Sequence, residues 1–239
     1  MPAALGTVHA VLYLLFNEGH LSASEKPISV ELCLDAMSLT KLLIDAPTLS
    51  NSDTVALMAL MCLVAARLES RVDADGNLIP LDRQDRARWD RGLISQGLAY
   101  LGRTTLMETV QAGRFHLEAA IASRHCDAAS FAETNWPSIC NLYDRLIEVA
   151  PSPLAKLNRA VAISYRDGAT AAIPLVEEIR RSGDLPHTHS LAAVLANLYM
   201  RAGSPEPARA FLNEALSRAL TEHERNLLEL QIQRATEAG

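Results

Sequence analysis

Apolar positions recur along this chain with the three-and-four spacing of an α-helix almost from end to end. In 52–69, SDTVALMALMCLVAARLE, residues Leu57, Leu60, Met61, Val64, Ala65 and Leu68 share one face, and Met58, Cys62 and Leu63 widen it. So broad an apolar arc predicts a helix buried between neighbours, with its N-cap from Asn51, Ser52 or Asp53. The same spacing predicts helices over 4–18, 28–45, 85–102, 114–126, 136–149, 154–167, 169–182, 188–202, 205–219 and 222–236. Turn residues punctuate them: Pro47, Gly113, Pro151-Ser152-Pro153, Gly168, Gly183, Pro186 and Gly203-Ser204-Pro205. One stretch departs from the pattern. In 71–81, RVDADGNLIPL, Asp75-Gly76 stands between Val72 and Leu78-Ile79, which predicts a small hairpin or extended loop.

A period appears in the last third. Leu157 and Leu191 lie 34 residues apart, as do Tyr165 and Tyr199, while Gly168 and Gly203 are 35 apart. Helix pairs repeating near 34 residues are the signature of tetratricopeptide-type solenoids, in which each pair buries its apolar face only by stacking on the next. The pairs are 154–167 with 169–182 and 188–202 with 205–219, preceded by a helix near Asn135–Ala150. Residues 222–236 close the stack, with Glu222, Glu224, Arg225, Glu229 and Gln233 on a polar outer side. The expected fold is all-α, a tetratricopeptide-like array of helical hairpins with the single hairpin or extended loop near 71–81. It divides into a helical adaptor segment, 1–128, and the repeats with their capping helix, 129–239. A plain helical bundle with a coincidental period is the alternative.

Composition narrows the partners. The chain has 239 residues, 49% of them hydrophobic and 5% aromatic, which suits a helical globular protein rather than a disordered or β-rich one. With 22 Lys and Arg against 28 Asp and Glu the net charge is −6, which disfavours nonspecific nucleic-acid binding by this chain alone. Cys33, Cys62, Cys126 and Cys140 form no C-x-x-C pair and read as buried free thiols in a reducing compartment. The apolar run Val8–Phe16 is too short to span a bilayer, and no Lys or Arg precedes it as in a signal peptide. Cytoplasmic location without membrane contact is the expectation.

Candidate chemistry is sparse. No nucleophile elbow, zincin, Walker A or dinucleotide motif occurs. Around Asp73 the D-x-D-G string has Gly76 at the fourth place and Gln84 at the twelfth, which does not fit an EF-hand loop. His187 and His189 diverge at i, i+2, and His116 and His125 lie about 13 Å apart along one helix, so neither pair predicts a metal site. No cofactor is expected. The most polar stretch, 81–91, LDRQDRARWDR, interleaves Arg83, Arg86, Arg88 and Arg91 with three aspartates around Trp89. It reads either as a solvated helix face capped by Asp82 or as a docking surface, since Arg and Trp concentrate at interface hot spots.

Several strings resemble one family. Val11-Leu12-Tyr13-Leu14-Leu15-Phe16-Asn17-Glu18-Gly19, then Asp73-Ala74-Asp75-Gly76 leading into Asp85-Arg86-Ala87-Arg88-Trp89-Asp90, are similar to the C-terminal extension of extracytoplasmic-function sigma factors with a tetratricopeptide-like tail. Leu117–Ala122, Trp136–Tyr143 and Pro151-Ser152-Pro153 with Leu157–Ala162 resemble it in the same order. His20 and His116 depart from the pattern, where an aromatic residue and a glutamine are more usual. The resemblance implies a regulatory, non-catalytic extension. It would contact the sigma regions, core RNA polymerase, or a signalling protein such as the small DGPF-type proteins linked to this group. It also implies that the regions reading −10 and −35 promoter elements precede this stretch, so the chain reads as an excised domain or truncated product that does not bind promoter DNA alone. The candidate interface residues are Asn17, Glu18, Arg83, Arg86, Trp89, His116, Glu118, Asn158 and Arg159. A free-standing helical scaffold binding a peptide or small ligand is the first rival reading. An enzyme assembled across helices is the second.

Overall fold

The computed structural model describes residues 2–20, 28–74, 76–107, 112–185, 189–219 and 222–237. Among them run eleven α-helices, one for each that the periodicity predicts. They form two compact units, 1–135 and 136–239, so residues 129–135 group with the first unit rather than with the repeats.

The first unit is built around its most apolar helix. In the order of the chain it holds α1 (Pro2–His20), α2 (Val30–Asp45), α3 (Ser52–Ala65), α4 (Arg91–Met107) and α5 (Arg114–Asp127). Apolar on every side, α3 is buried along nearly its whole length and packs against the other four helices. Of the three predicted caps Asn51 is the one used: its side-chain oxygen accepts the Thr54 N–H at 2.8 Å. The crossing of α3 with α4 is close. A Cβ on Gly97 would sit 2.7 Å from the Leu63 side chain and 3.1 Å from the Ala59 carbonyl, so only glycine fits there.

The stretch between α3 and α4 is where the structure corrects the sequence reading. Residues 72–78 form the expected hairpin, an antiparallel bridge between Val72 and Leu78, with the Asn77 N–H donating to Asp73 Oδ1 at 2.8 Å. Asp75 lies outside the described residues. The helix predicted from 85, however, begins only at Arg91. Residues 81–83 and 86–88 are short 3-10 turns. Asp82 caps nothing of α4; Asp85 caps the second turn and Asp90 accepts the Leu93 N–H at 3.0 Å, opening α4. Two carboxylates that each bind a nearby N–H break the helix where charge alternation alone would continue it.

The second unit stacks α6 (Trp136–Val149), α7 (Pro153–Arg166), α8 (Ala169–Ser182), α9 (His189–Arg201), α10 (Pro205–Leu216) and α11 (Glu222–Glu237), each packing on the next. Leu157 and Leu191 are buried in one core cluster at equivalent places of α7 and α9. Gly168 and Gly203 follow those helices at φ 98° and 73°, positive values costly for any side chain bearing a Cβ. α11 buries Leu228 and Ala235 against α10 and leaves Glu222, Arg225, Glu229 and Gln233 exposed, which is the amphipathic form a capping helix needs. The Glu224 side chain, Pro186, His187 and the His189 side chain lie outside the described residues.

Candidate functional site

Two of the candidate interface residues meet around a tyrosine that sequence reasoning passed over. Tyr13 and Asn17 lie one turn apart on α1, and Arg114 and Glu118 one turn apart on α5. The Tyr13 hydroxyl is hydrogen-bonded by the Asn17 and Glu118 side chains, and burial, with Glu118 beside it, pushes its pKa up to about 12. Arg114 Nε donates to Glu118 Oε1 at 2.8 Å while its guanidinium lies 5.0 Å over the Tyr13 ring, which packs edge-on against Phe115. This is a half-buried polar tie between α1 and α5, with Glu18 exposed beside it. His116 turns elsewhere: its Nδ1 lies 2.7 Å from the hydroxyl of buried Thr104 on α4. That hydroxyl already donates to the Leu101 carbonyl, so the imidazole N–H is the donor.

Arg86 and Trp89, read above as a docking pair on a helix face, are inside the first unit instead, 6% and 3% exposed. Arg86 Nη1 donates to the carbonyls of His125 and Ala128 at 2.7 and 2.8 Å, and Nη2 to Thr134 Oγ1 at 3.0 Å. Its positive charge therefore closes the C-terminal end of α5, where unpaired carbonyls and the helix dipole favour a cation. Arg83 is exposed at the end of the preceding turn.

The buried thiols and the histidines His20 and His125 of this unit are neutral, whereas Arg71 and Arg86 keep their charge. Burial, followed by the charges of Arg71 and Arg67, lowers the pKa of His20 to about 4, and burial with Arg67 and Arg86 lowers that of His125 to about 3. Burial raises the thiols of Cys33, Cys62 and Cys126 to about 11, 12 and 11. Cys140 of the second unit is raised as well, chiefly by burial. All four cysteines are free and buried. Among the described residues no three His, Cys, Asp or Glu side chains are placed to hold a metal ion, and no helix is long and apolar enough to cross a membrane.

Surface apolarity concentrates on α1 and α2. Val8, Val11 and Leu14 of α1 and Val30, Leu34, Leu39 and Leu42 of α2 are exposed, Leu14 and Leu42 by 65% and 66%. From Pro2 to Asn17, α1 carries no Asp, Glu, Lys or Arg. The signal was present in the sequence, because α1 is apolar on more of its surface than one core-facing stripe requires.

Two recesses stand out among the described residues of the second unit. One, about 650 Å³, lies among α6, α7 and α8. Arg159 lines it and is ion-paired with Asp144, over an apolar floor of Ile147, Leu175 and Ile179. The neighbouring Asn158 is exposed. The other recess, about 190 Å³, lies between α7 and α9, with Val161, Val194 and Leu198 in its wall and Asn197 and Arg201 lining it. Asn197 and Arg201 escaped the sequence reading, although they are the polar i, i+4 pair of an otherwise apolar helix.

A family model for a family of unknown function (DUF6596) matches residues 4–105, from α1 to most of α4. An uncharacterized protein of Rhizobium meliloti (strain 1021) is 34% identical over 232 residues, which are 95% of this chain and 53% of that protein. The chain is therefore similar along nearly its whole length to a relative of which it spans about half.

Proposed function

We propose that this chain is a non-catalytic, regulatory protein-interaction extension of a bacterial extracytoplasmic-function sigma factor, acting in the cytoplasm on sigma regions or core RNA polymerase. The observation that carries the interaction part is the apolar surface of α1 and α2. Exposed large hydrophobics grouped on neighbouring helices are what a protein interface leaves when the partner is absent. The sigma part is supported by the strings around Asn17-Glu18-Gly19 and Asp85–Asp90, which resemble that family's extension. Several of those residues have structural work that explains their type: Arg86 closes α5, Trp89 fills the core, and Gly19 leaves no room for a Cβ beside Cys33.

The test is site-specific photocross-linking in cells, with the photoreactive side chain at Val11 or Leu42. Cross-links to sigma regions or polymerase subunits support the reading. Cross-links confined to proteins outside the transcription machinery would remove its sigma part. The second reading, a helical scaffold that captures a peptide, is favoured by one specific feature, the recess between α7 and α9.

A further inference from the structure

We propose that α2 pairs antiparallel with the α2 of a second copy of this chain, the two helices crossing at Ser38, so that self-association covers the exposed apolar surface of the first unit. The proposal rests on the protein-interaction part of the reading above, for which it names a partner, and not on the sigma part.

The face that α2 offers is long and mixed. Cys33, Ala36, Thr40 and Ile44 are buried on its inner side. On the outer side Val30, Leu34, Leu39 and Leu42 are 46–66% exposed, with Glu31, Asp35, Ser38, Lys41 and Asp45 exposed among them. With Val8, Val11 and Leu14 of the adjoining α1, these apolar side chains present on the order of 600 Å² per copy, somewhat under the roughly 800 Å² each partner gives to a standard interface. That area suits a reversible dimer rather than an obligate one.

Charge selects the occupant and the direction. Three acids and one base on α2 make a poor face for an anionic lipid surface. In a parallel pair about a two-fold axis, every charge would meet its own like. Antiparallel about Ser38, Asp35 and Lys41 stand three residues before and after the centre, so each meets the other's counterpart twice. Leu34 and Leu42 stand four before and after and meet in the same way. Lys41 already pairs with Asp45 of its own helix, a half-exposed contact that solvent keeps weak, and its ammonium has donors left for a second carboxylate. The small Ser38 lets the axes approach to about 8–10 Å, the spacing of packed helices. Glu31 and Asp45 of opposite copies share a sign, but they fall about 10 Å along the helix from the centre, where crossing helices diverge.

The experiment weighs the full chain by sedimentation equilibrium from about 1 to 100 µM, the weak end of the affinities that interfaces reach. The mass is expected to climb from 26.0 kDa toward twice that value. Asp35→Lys and Lys41→Glu should each weaken the dimer about tenfold or more, and the double variant should regain it, because only a pairing across the axis is restored by exchange. Both positions are exposed, so all three variants should keep the helical circular dichroism of the wild type. Ser38→Cys, with oxidised glutathione as the oxidant, should give a disulfide-linked dimer, since like positions at the axis come within the roughly 4.4–6.8 Å between Cα atoms that a disulfide spans. Val30→Cys, two turns away on the same helix, should not, and the four native cysteines are buried. A single-chain mass throughout, a double variant no better than the single ones, or equal linking from Ser38→Cys and Val30→Cys would each overturn the proposal. Self-association is read on the purified chain and partner cross-links from Val11 in cells. A monomer therefore leaves the sigma reading standing, and a lack of polymerase cross-links leaves the dimer standing.

Discussion

Arg86 lies 5.0 Å over the Trp89 ring, and the pair locks the turn before α4 onto the end of α5. The relationship is structural before it is anything else, since both side chains are buried. Trp89→Ala should cost about 3–5 kcal/mol, the usual loss on emptying a large aromatic site in a core. Arg86→Met keeps the volume but strands the carbonyls of His125 and Ala128 at the end of α5 and should cost about 2–3 kcal/mol, on the scale of hydrogen bonds from a charged group. Each unit holds one tryptophan, so Trp89 fluorescence in a Trp136→Phe background follows the first unit during unfolding of the Arg86 variant. Circular dichroism serves for Trp89→Ala. A full-stability Trp89→Ala protein would contradict the burial.

The helices were legible because burial imposes a period, and a period survives in the sequence whatever the partner helix is. Leu157 with Leu191 and Gly168 with Gly203 announced the repeats for the same reason. What misled was local charge. Residues 85–90 alternate sign as a solvated helix does, but the partners of Arg86 are carbonyls 39 and 42 residues away, invisible to any window along the chain. The candidate sites follow that division. Asn17 and Glu118 stood out singly, while the tyrosine that joins them showed only once α1 lay against α5. Arg201 is likewise defined by Ser164, 37 residues earlier.

Acid should weaken the first unit through His20. Its folded-state pKa of about 4 is below the ordinary 6.5, so between those values the unfolded chain holds a proton that the folded one lacks. Stability is therefore full above about pH 6.5 and falls as pH drops toward 4. The total loss is a few kcal/mol, since each tenfold difference in proton affinity between the two states is worth about 1.4 kcal/mol. His125, lowered in the same way, adds to the slope. His20→Phe, which keeps the ring packed against Phe16, should flatten the fall in melting temperature between about pH 7 and 4, the window in which that proton is taken up. An unchanged pH profile in that variant would mean His20 is not the group responsible.

The repeat turns carry a separate stability signature. Gly168 has open space where a Cβ would stand, so Gly168→Ala meets no steric clash and incurs only the strain of its positive φ. With ψ at 156° the residue lies in a region essentially reserved for glycine, so the expected loss is about 1–3 kcal/mol. Gly203→Ala should also destabilise, since Gly203 too has a positive φ, 73°, and open space where a Cβ would stand. Urea unfolding of the two variants checks this, and a neutral or stabilising effect at either site would show that the turn adopts another conformation in solution.

Leu14 and Leu42 should separate binding from folding. Both side chains are about two-thirds exposed, so replacing them with Gln removes little buried area, and Leu14→Gln with Leu42→Gln should change stability by no more than about 0.5 kcal/mol each. Phe16, 1% exposed on the opposite side of α1, should by contrast cost about 3–5 kcal/mol when cut to Ala. If α1 and α2 form the interface, the double Gln variant stays folded yet loses the cross-links made from Val11, and sigma-dependent transcription falls with them. A double variant that melts early would show that this surface is covered within the protein itself; one that folds and keeps every cross-link would move the interface to another face.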